Sequence, residues 1–196
     1  MKFTITYRAR RIFQGYDDWL KPGQTALDVG CGNGVVGAML ADKFQCKVTG
    51  TDILNYVETG LPFVKLTDGG DLPFETDSFD TVMLNDMLHH VPWEGQEKLL
   101  REALRVGRQV QVFEVEPGAY VSFTDWLPNK IHNPMMRISL SHRSAKGWQA
   151  IFESMGVTQI DARRIEDPAF DGLSKGEALA RFFYKPVINW AFRIKQ

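Results

Sequence analysis

The chain has 196 residues, 44% hydrophobic and 24% charged, which suits one domain with a full core. A formal net charge of −1 gives no basic field for nucleic acid or an anionic membrane surface, and two cysteines are too few for a disulfide framework or a zinc cluster. No apolar run reaches membrane-spanning length and the first residues lack an apolar signal core, so the expected location is the cytosol.

In chain order, Ile12, Phe13, Tyr16, Trp19 and Leu20 fall at helical spacing, so Tyr7 to Leu20 reads as a helix stopped by Lys21-Pro22-Gly23. Strand one is Thr25 to Val29. A helix follows with Val36, Met39, Leu40 and Phe44 on one face. Strand two is Lys47 to Thr51, ending at Asp52, and strand three is Phe63 to Leu66. Strand four is Phe79 to Leu84. Glu94 to Val106 is a helix on which Glu94/Lys98 and Glu97/Arg101 stand at i,i+4, with Gly107 as its C-cap. Strand five is Gln109 to Val115. Ser144 caps a helix whose apolar face is Trp148, Ile151, Phe152 and Met155, closed by Gly156. Val157 to Ile165 is strand six. The alternation of Ile188, Trp190, Phe192 and Ile194 reads Val187 to Ile194 as the last strand. Strands and helices alternate, which predicts a parallel α/β sheet.

Leu27 to Gly34 reads LDVGCGNG, a strand running through three glycines into an apolar-faced helix. Glycine lets the backbone turn sharply and approach a ligand, and the amides that open the next helix point toward it. Asp28 two residues before Gly30 makes the motif DxGxGxG. It resembles motif I of the class I S-adenosylmethionine-dependent methyltransferases. Dinucleotide-binding loops follow G-x-G-x-x-G, a pattern in which Val35 occupies the slot that wants a small residue. Asp52, 18 residues beyond Gly34, is an acid at a strand end that can accept from a ribose diol, in nicotinamide enzymes as in methyltransferases.

Asp68 to Val91 reads DGGDLPFETDSFDTVMLNDMLHHV. This stretch is similar to the D-G-x-x-LPF…SFD…LHH run of small-molecule methyltransferases of the quinone-methylase type. The resemblance covers Thr25 to Gly156 well and the ends less well. It implies a single Rossmann-like, doubly wound domain over residues 1–196. Its seven-stranded sheet would be mostly parallel, in order 3-2-1-4-5-7-6 with strand seven antiparallel. About ten residues separate Asp52 from Phe63, so the helix after strand two is expected to be short or missing. The implied cofactor is S-adenosylmethionine, with S-adenosylhomocysteine as its product. The implied cofactor residues are Asp28, Gly30, Cys31, Gly32, Asn33, Gly34, Asp52, Ile53, Asp68, Gly69, Asn85 and Asp86. Asp68 would take the adenine amino group, with Asp71 as the competing acid. His89 and His90 are expected mostly to pack, and the four histidines show no H-x-x-x-H spacing, so no metal is expected.

The acceptor side is assigned to residues 116–143, a long connection rich in aromatic and methionine side chains, with residues 1–23 as a helix and lid opposite. Tyr7, Tyr120, Trp126 and His132 are its candidate acceptor-binding residues, and Tyr7, Arg8 and Arg11 are candidates to reach the cofactor carboxylate. His132, His142 and Glu114 are candidate bases, with Glu116 also on that side. The expected activity is methyl transfer to a small-molecule acceptor by in-line displacement, with neither nucleic acid nor a membrane span involved. A non-catalytic S-adenosylmethionine-binding subunit and a nicotinamide-dependent oxidoreductase are the alternatives.

Overall fold

The computed structural model describes residues 2–67, 71–121, 141–166, 172–184 and 187–196. Helix α1 (Lys2–Tyr16) precedes β1 (Thr25–Val29), α2 (Val35–Phe44), β2 (Lys47–Asp52), β3 (Phe63–Lys65) and β4 (Thr81–Asn85). A 3₁₀ turn (Leu88–His90), α3 (Trp93–Val106) and β5 (Val110–Val115) follow, then α4 (Ala145–Met155), β6 (Thr158–Ile165), α5 (Lys175–Tyr184) and β7 (Asn189–Lys195). The sheet runs β3-β2-β1-β4-β5-β7-β6. Strands β1 to β5 pair in parallel, and β7 is antiparallel to both neighbours, as the resemblance implied.

Alternation along the strands sends side chains to two cores. Leu27 and Val29, Val82 and Leu84, and Phe192 and Ile194 pack with Leu99, Leu100 and Ala103 of α3 and with Trp148 and Phe152 of α4. Ala26, Met83, Phe113 and Ala191 face the other way, toward Ile12 and Tyr16 of α1 and Val36 and Leu40 of α2. Asp28 and Asn85 are each two residues beyond Ala26 and Met83, so they point to the α1/α2 side. Residues 53–62 contain no helix. That segment folds back instead: the Glu58 amide donates to the Asn33 carbonyl at 3.0 Å, and Leu61 packs with the α1/α2 core.

Several local expectations change. Helix α1 starts five residues earlier than Tyr7 and stops at Tyr16, because Asp18 takes a left-handed φ of 63° and turns the chain before Leu20. Gly107 has an extended φ of −113°, so no left-handed cap forms. A Cβ there would lie 2.6 Å from Val82 Cγ2, so close approach to β4 is what requires glycine. Arg101 pairs with Glu97 at 2.6 Å, whereas Lys98 reaches Asp71 at 2.8 Å rather than Glu94. Helix α5 was not anticipated. Its Ser174 and Glu177 form a capping box, the Ser174 amide donating to Glu177 Oε2 at 3.0 Å and the Glu177 amide to Ser174 Oγ at 3.2 Å. Arg10 Nε on α1 completes the carboxylate's shell at 2.7 Å.

Candidate cofactor site

β1 lies between β2 and β4, and beyond the carboxyl ends of these strands is the place where open α/β sheets form a ligand crevice. Gly30, Gly32 and Gly34 all take left-handed φ, 71°, 54° and 77°. The Gly30 and Cys31 amides donate to the Thr51 carbonyl at 2.8 and 3.2 Å, which fastens the loop to the end of β2. Asp52 Oδ2 accepts from the Gly32 amide at 2.9 Å. A Cβ on Gly34 would stand 2.8 Å from Thr59 Oγ1, and one on Gly30 3.1 Å from the Met87 side chain. A Cβ on Gly32 would meet no described atom within 4 Å. The loop is thus backed by protein at two glycines and open at the middle one, beside the Asp52 carboxylate. A carboxylate at that rim has the acceptor chemistry that a ribose diol requires.

A fourth glycine completes the turn. Gly37, inside α2, leaves room for Asp28, because a Cβ there would fall 2.9 Å from Asp28 Oδ2. Asp28 is 1% exposed. Its Oδ1 accepts from Asn85 Nδ2 at 2.8 Å, and Asn85 Oδ1 accepts from the Tyr16 hydroxyl at 2.7 Å. Burial pushes the Asp28 carboxyl up to about 6, against the Asn85 hydrogen bond and the Arg8 charge. Asp86 takes a left-handed φ of 49° and pairs with Arg8 Nε at 3.5 Å. Burial raises its carboxyl as well, opposed first by Arg8. Burial next to Asp28 and Asp52 pushes the Cys31 thiol up to about 12, so it is a packing group rather than a nucleophile.

The loop after β4 is held from beneath. Glu114 Oε1 accepts from the Met87 and Leu88 amides at 3.0 and 2.7 Å, and its Oε2 meets His89 Nδ1 at 2.7 Å. The His89 ring stacks on His142 with centroids 4.7 Å apart and planes 8° apart. Gln96 of α3 is wholly buried and donates to the Leu88, Val91 and Ser141 carbonyls at 3.0, 3.2 and 2.8 Å. Its Oε1 accepts from Arg143 Nε at 2.6 Å.

The structure therefore gathers Asp28, Gly30, Cys31, Gly32, Asn33, Gly34, Asp52, Asn85 and Asp86 at one crevice. Ile53 stands at its rim, 56% exposed. Asp68, Gly69, Trp126 and His132 lie outside the described residues. Glu114 and His142 sit together under the loop after β4, with Glu114 already accepting from two amides and in contact with His89. Tyr120 is exposed and Tyr7 is fully buried. Arg11 is 1% exposed and donates to the Ile165 and Val187 carbonyls at 3.0 and 2.7 Å, so it ties α1 to β6 and to the residues leading into β7, while its charge favours the Asp86 carboxylate. Tyr16, Gly37 and Gln96 were not singled out from the sequence as site residues. No cluster of three or more His, Cys, Asp or Glu able to hold a metal occurs among the described residues. No helix among them is long and apolar enough to cross a membrane.

Residues 27–113 match the methyltransferase domain family. Squalene methyltransferase 2 of Botryococcus braunii is 34% identical over 127 residues, covering 59% of this chain and 31% of that protein. The (+)-O-methylkolavelool synthase of Herpetosiphon aurantiacus is 28% identical over 162 residues, covering 72% of this chain and 53% of that protein. The chain thus spans about a third to a half of the length of these two relatives. Among solved structures, a SAM-dependent methyltransferase from Aquifex aeolicus superposes with a TM-score of 0.64 at 15% identity, over 96% of this chain and 89% of that one, a likeness of fold.

Proposed function

We propose that the chain is a class I S-adenosylmethionine-dependent methyltransferase that transfers a methyl group from this cofactor to a small-molecule acceptor by in-line displacement, a reading supported by the match of residues 27–113 to the methyltransferase domain family and by the methyltransferase relatives. The observation that carries the reading is the open face of Gly32 flanked by the Asp52 carboxylate, in a glycine turn whose following helix leaves room at Gly37 for the buried Asp28. Asp52 would exchange the Gly32 amide for ribose hydroxyls, and Asp28 would receive the cofactor ammonium. Asp68 and Gly69 would meet the adenine, with Ile53 against its face, while the backbone at Asn85 and Asp86 would meet the methionine portion. When bound, S-adenosylmethionine supplies a methyl group on a sulfonium centre.

The protein's task is then alignment of the acceptor and exclusion of water. A base is needed only for an acceptor that arrives protonated. Glu114 is a poor base because its two oxygens already accept from two amides and face His89. His132 and His142 are the remaining candidates, and alignment by Tyr120 and Trp126 is the favoured mode. Squalene and O-methylkolavelool in the relatives' names support a small-molecule acceptor, and the compound itself is left to assay.

Calorimetry with S-adenosylhomocysteine and NADH tests the reading. Binding of the first at roughly micromolar affinity, about −8 kcal/mol, is expected, with no heat from the second. Binding of NADH alone would overturn it. Methyl transfer from labelled S-adenosylmethionine to a broad acceptor panel then separates an enzyme from a cofactor-binding subunit.

A further inference from the structure

We propose that Tyr16 of α1 is a positioning residue for recognition of the cofactor ammonium, acting through Asn85 on Asp28. The inference rests on the cofactor reading above. A side-chain amide presents a carbonyl oxygen on one side and an NH2 group on the other, and the two ends are nearly the same shape. For Asn85 the choice of ends decides what Asp28 faces. In the observed orientation Asp28 Oδ1 receives an N–H at 2.8 Å, which favours the carboxylate. The reversed amide would set two oxygens against each other unless Asp28 carried a proton, and a protonated Asp28 is a poor partner for an ammonium.

The Tyr16 hydroxyl favours the observed orientation by donating to Asn85 Oδ1 at 2.7 Å. Its other acceptor, the Gln111 carbonyl, is at 3.4 Å. The phenol keeps its proton and so can donate, since burial and the Asp28, Asp86 and Glu114 carboxylates raise it well above its ordinary range. The ring is fully buried, stacked on Trp19 at 5.9 Å and edge-on to Phe113 at 6.3 Å, so the hydroxyl is aimed by packing. All three side chains are at most 4% exposed, and water is not at hand to replace a lost donor. The amino-terminal helix, through Tyr16 and Asn85, thereby sets the charge that Asp28 presents there.

The test is calorimetry of the whole chain with two probes, S-adenosylhomocysteine and its deaminated analogue, which lacks the ammonium. Tyr16→Phe keeps both ring contacts. It should weaken S-adenosylhomocysteine by ~3–10-fold, the worth of one hydrogen bond, and leave the deaminated analogue within about twofold. In an Asn85→Ala background the same substitution should add nothing, because the path is already cut. A purely structural role for Tyr16 would weaken both probes alike and would persist in that background. Either result overturns the proposal, as does a Tyr16→Phe protein that binds S-adenosylhomocysteine like the parent. If the parent chain fails to bind S-adenosylhomocysteine at all, the functional reading falls and this inference with it.

Discussion

Alanine at Gly32 and at Gly34 should produce opposite rankings in stability and in binding. Both glycines are left-handed, at φ 54° and 77°. A side chain in that region costs about 1–2 kcal/mol by backbone strain alone. At Gly32 nothing is added, because the new methyl enters open space. At Gly34 the methyl lies 2.8 Å from Thr59 Oγ1 and 3.2 Å from Val57 Cγ1. Overpacking there should cost a further ~1–3 kcal/mol. Gly34→Ala should therefore lose the most stability, read as a lower urea midpoint at unchanged slope. Binding should run the other way. The Gly32 methyl points into the space assigned to the ligand and should weaken S-adenosylhomocysteine by at least about tenfold, ~1.4 kcal/mol. The Gly34 methyl faces the folded-back segment, and the folded fraction of that variant should bind with a smaller loss. A Gly32→Ala protein that binds S-adenosylhomocysteine like the parent would show that the open face of the loop is not where the ligand lies.

Four further outcomes are expected. Asp52→Ala should weaken S-adenosylhomocysteine by ~1.5–3 kcal/mol with the fold intact, and unchanged affinity in calorimetry would remove Asp52 from the site. Asp28 is raised from 3.8 to about 6, so between those values the folded chain holds a proton that the unfolded chain has lost, and stability falls as pH rises through that window. Binding of an ammonium needs the carboxylate, so affinity should rise with pH toward 7, weakening about tenfold per unit below the folded value, and Asp28→Asn should flatten the profile. Glu114→Ala strands the buried Leu88 amide and the half-buried Met87 amide and should cost ~2–5 kcal/mol in urea denaturation, whereas Glu114→Gln, which keeps an acceptor for them, should cost less than half as much. His142→Ala and Trp126→Ala separate chemistry from alignment once an acceptor is found: a base at His142 predicts ~10²–10⁴-fold lower turnover, and alignment predicts the larger loss at Trp126, with S-adenosylhomocysteine affinity unchanged in both.

The glycine turn, Asp28 and Asp52 are legible because each is local: a residue type at a fixed distance from a strand end. The absence of a helix in residues 53–62 is legible for a similar reason, since ten residues cannot hold both a crossover and a full helix. The Tyr16–Asn85–Asp28 path is not. Tyr16 reads as one more apolar-face residue of a helix, and only the packing of α1 against β5, β6 and β7 brings its hydroxyl to Asn85 at the end of β4. Gln96 looks like a polar helix residue until α3 turns it under the loop after β4. Glu114 stands out in sequence as a candidate base because a carboxylate at a strand end suggests chemistry, and the structure engages it with two amide donors and the His89 ring. Gly37 could have been noticed as a helix-interior glycine, a placement that costs about 1 kcal/mol and usually marks a close approach. Helix α5 left a sequence signal too, in the Ser174-x-x-Glu177 box.

The place of β7 has a consequence for how the chain comes together. Among the described residues β6 pairs only with β7, and β7 is made after it. During synthesis β6 must wait while β5 offers a bare edge, Phe113 lacks its neighbour Ala191, and the Trp148–Phe152 face of α4 lacks Phe192. Arg11, from the first helix, can find its two carbonyl acceptors only once Ile165 and Val187 are both in position. The half of the sheet that carries the crevice, β3 to β4, requires none of this and can form from local crossovers. Assembly is therefore expected in two stages, an early cofactor-binding half and a late half completed by insertion of a strand between two others. A ribosome-stalled chain ending before Val187 should display the first and expose the hydrophobic edge of the second.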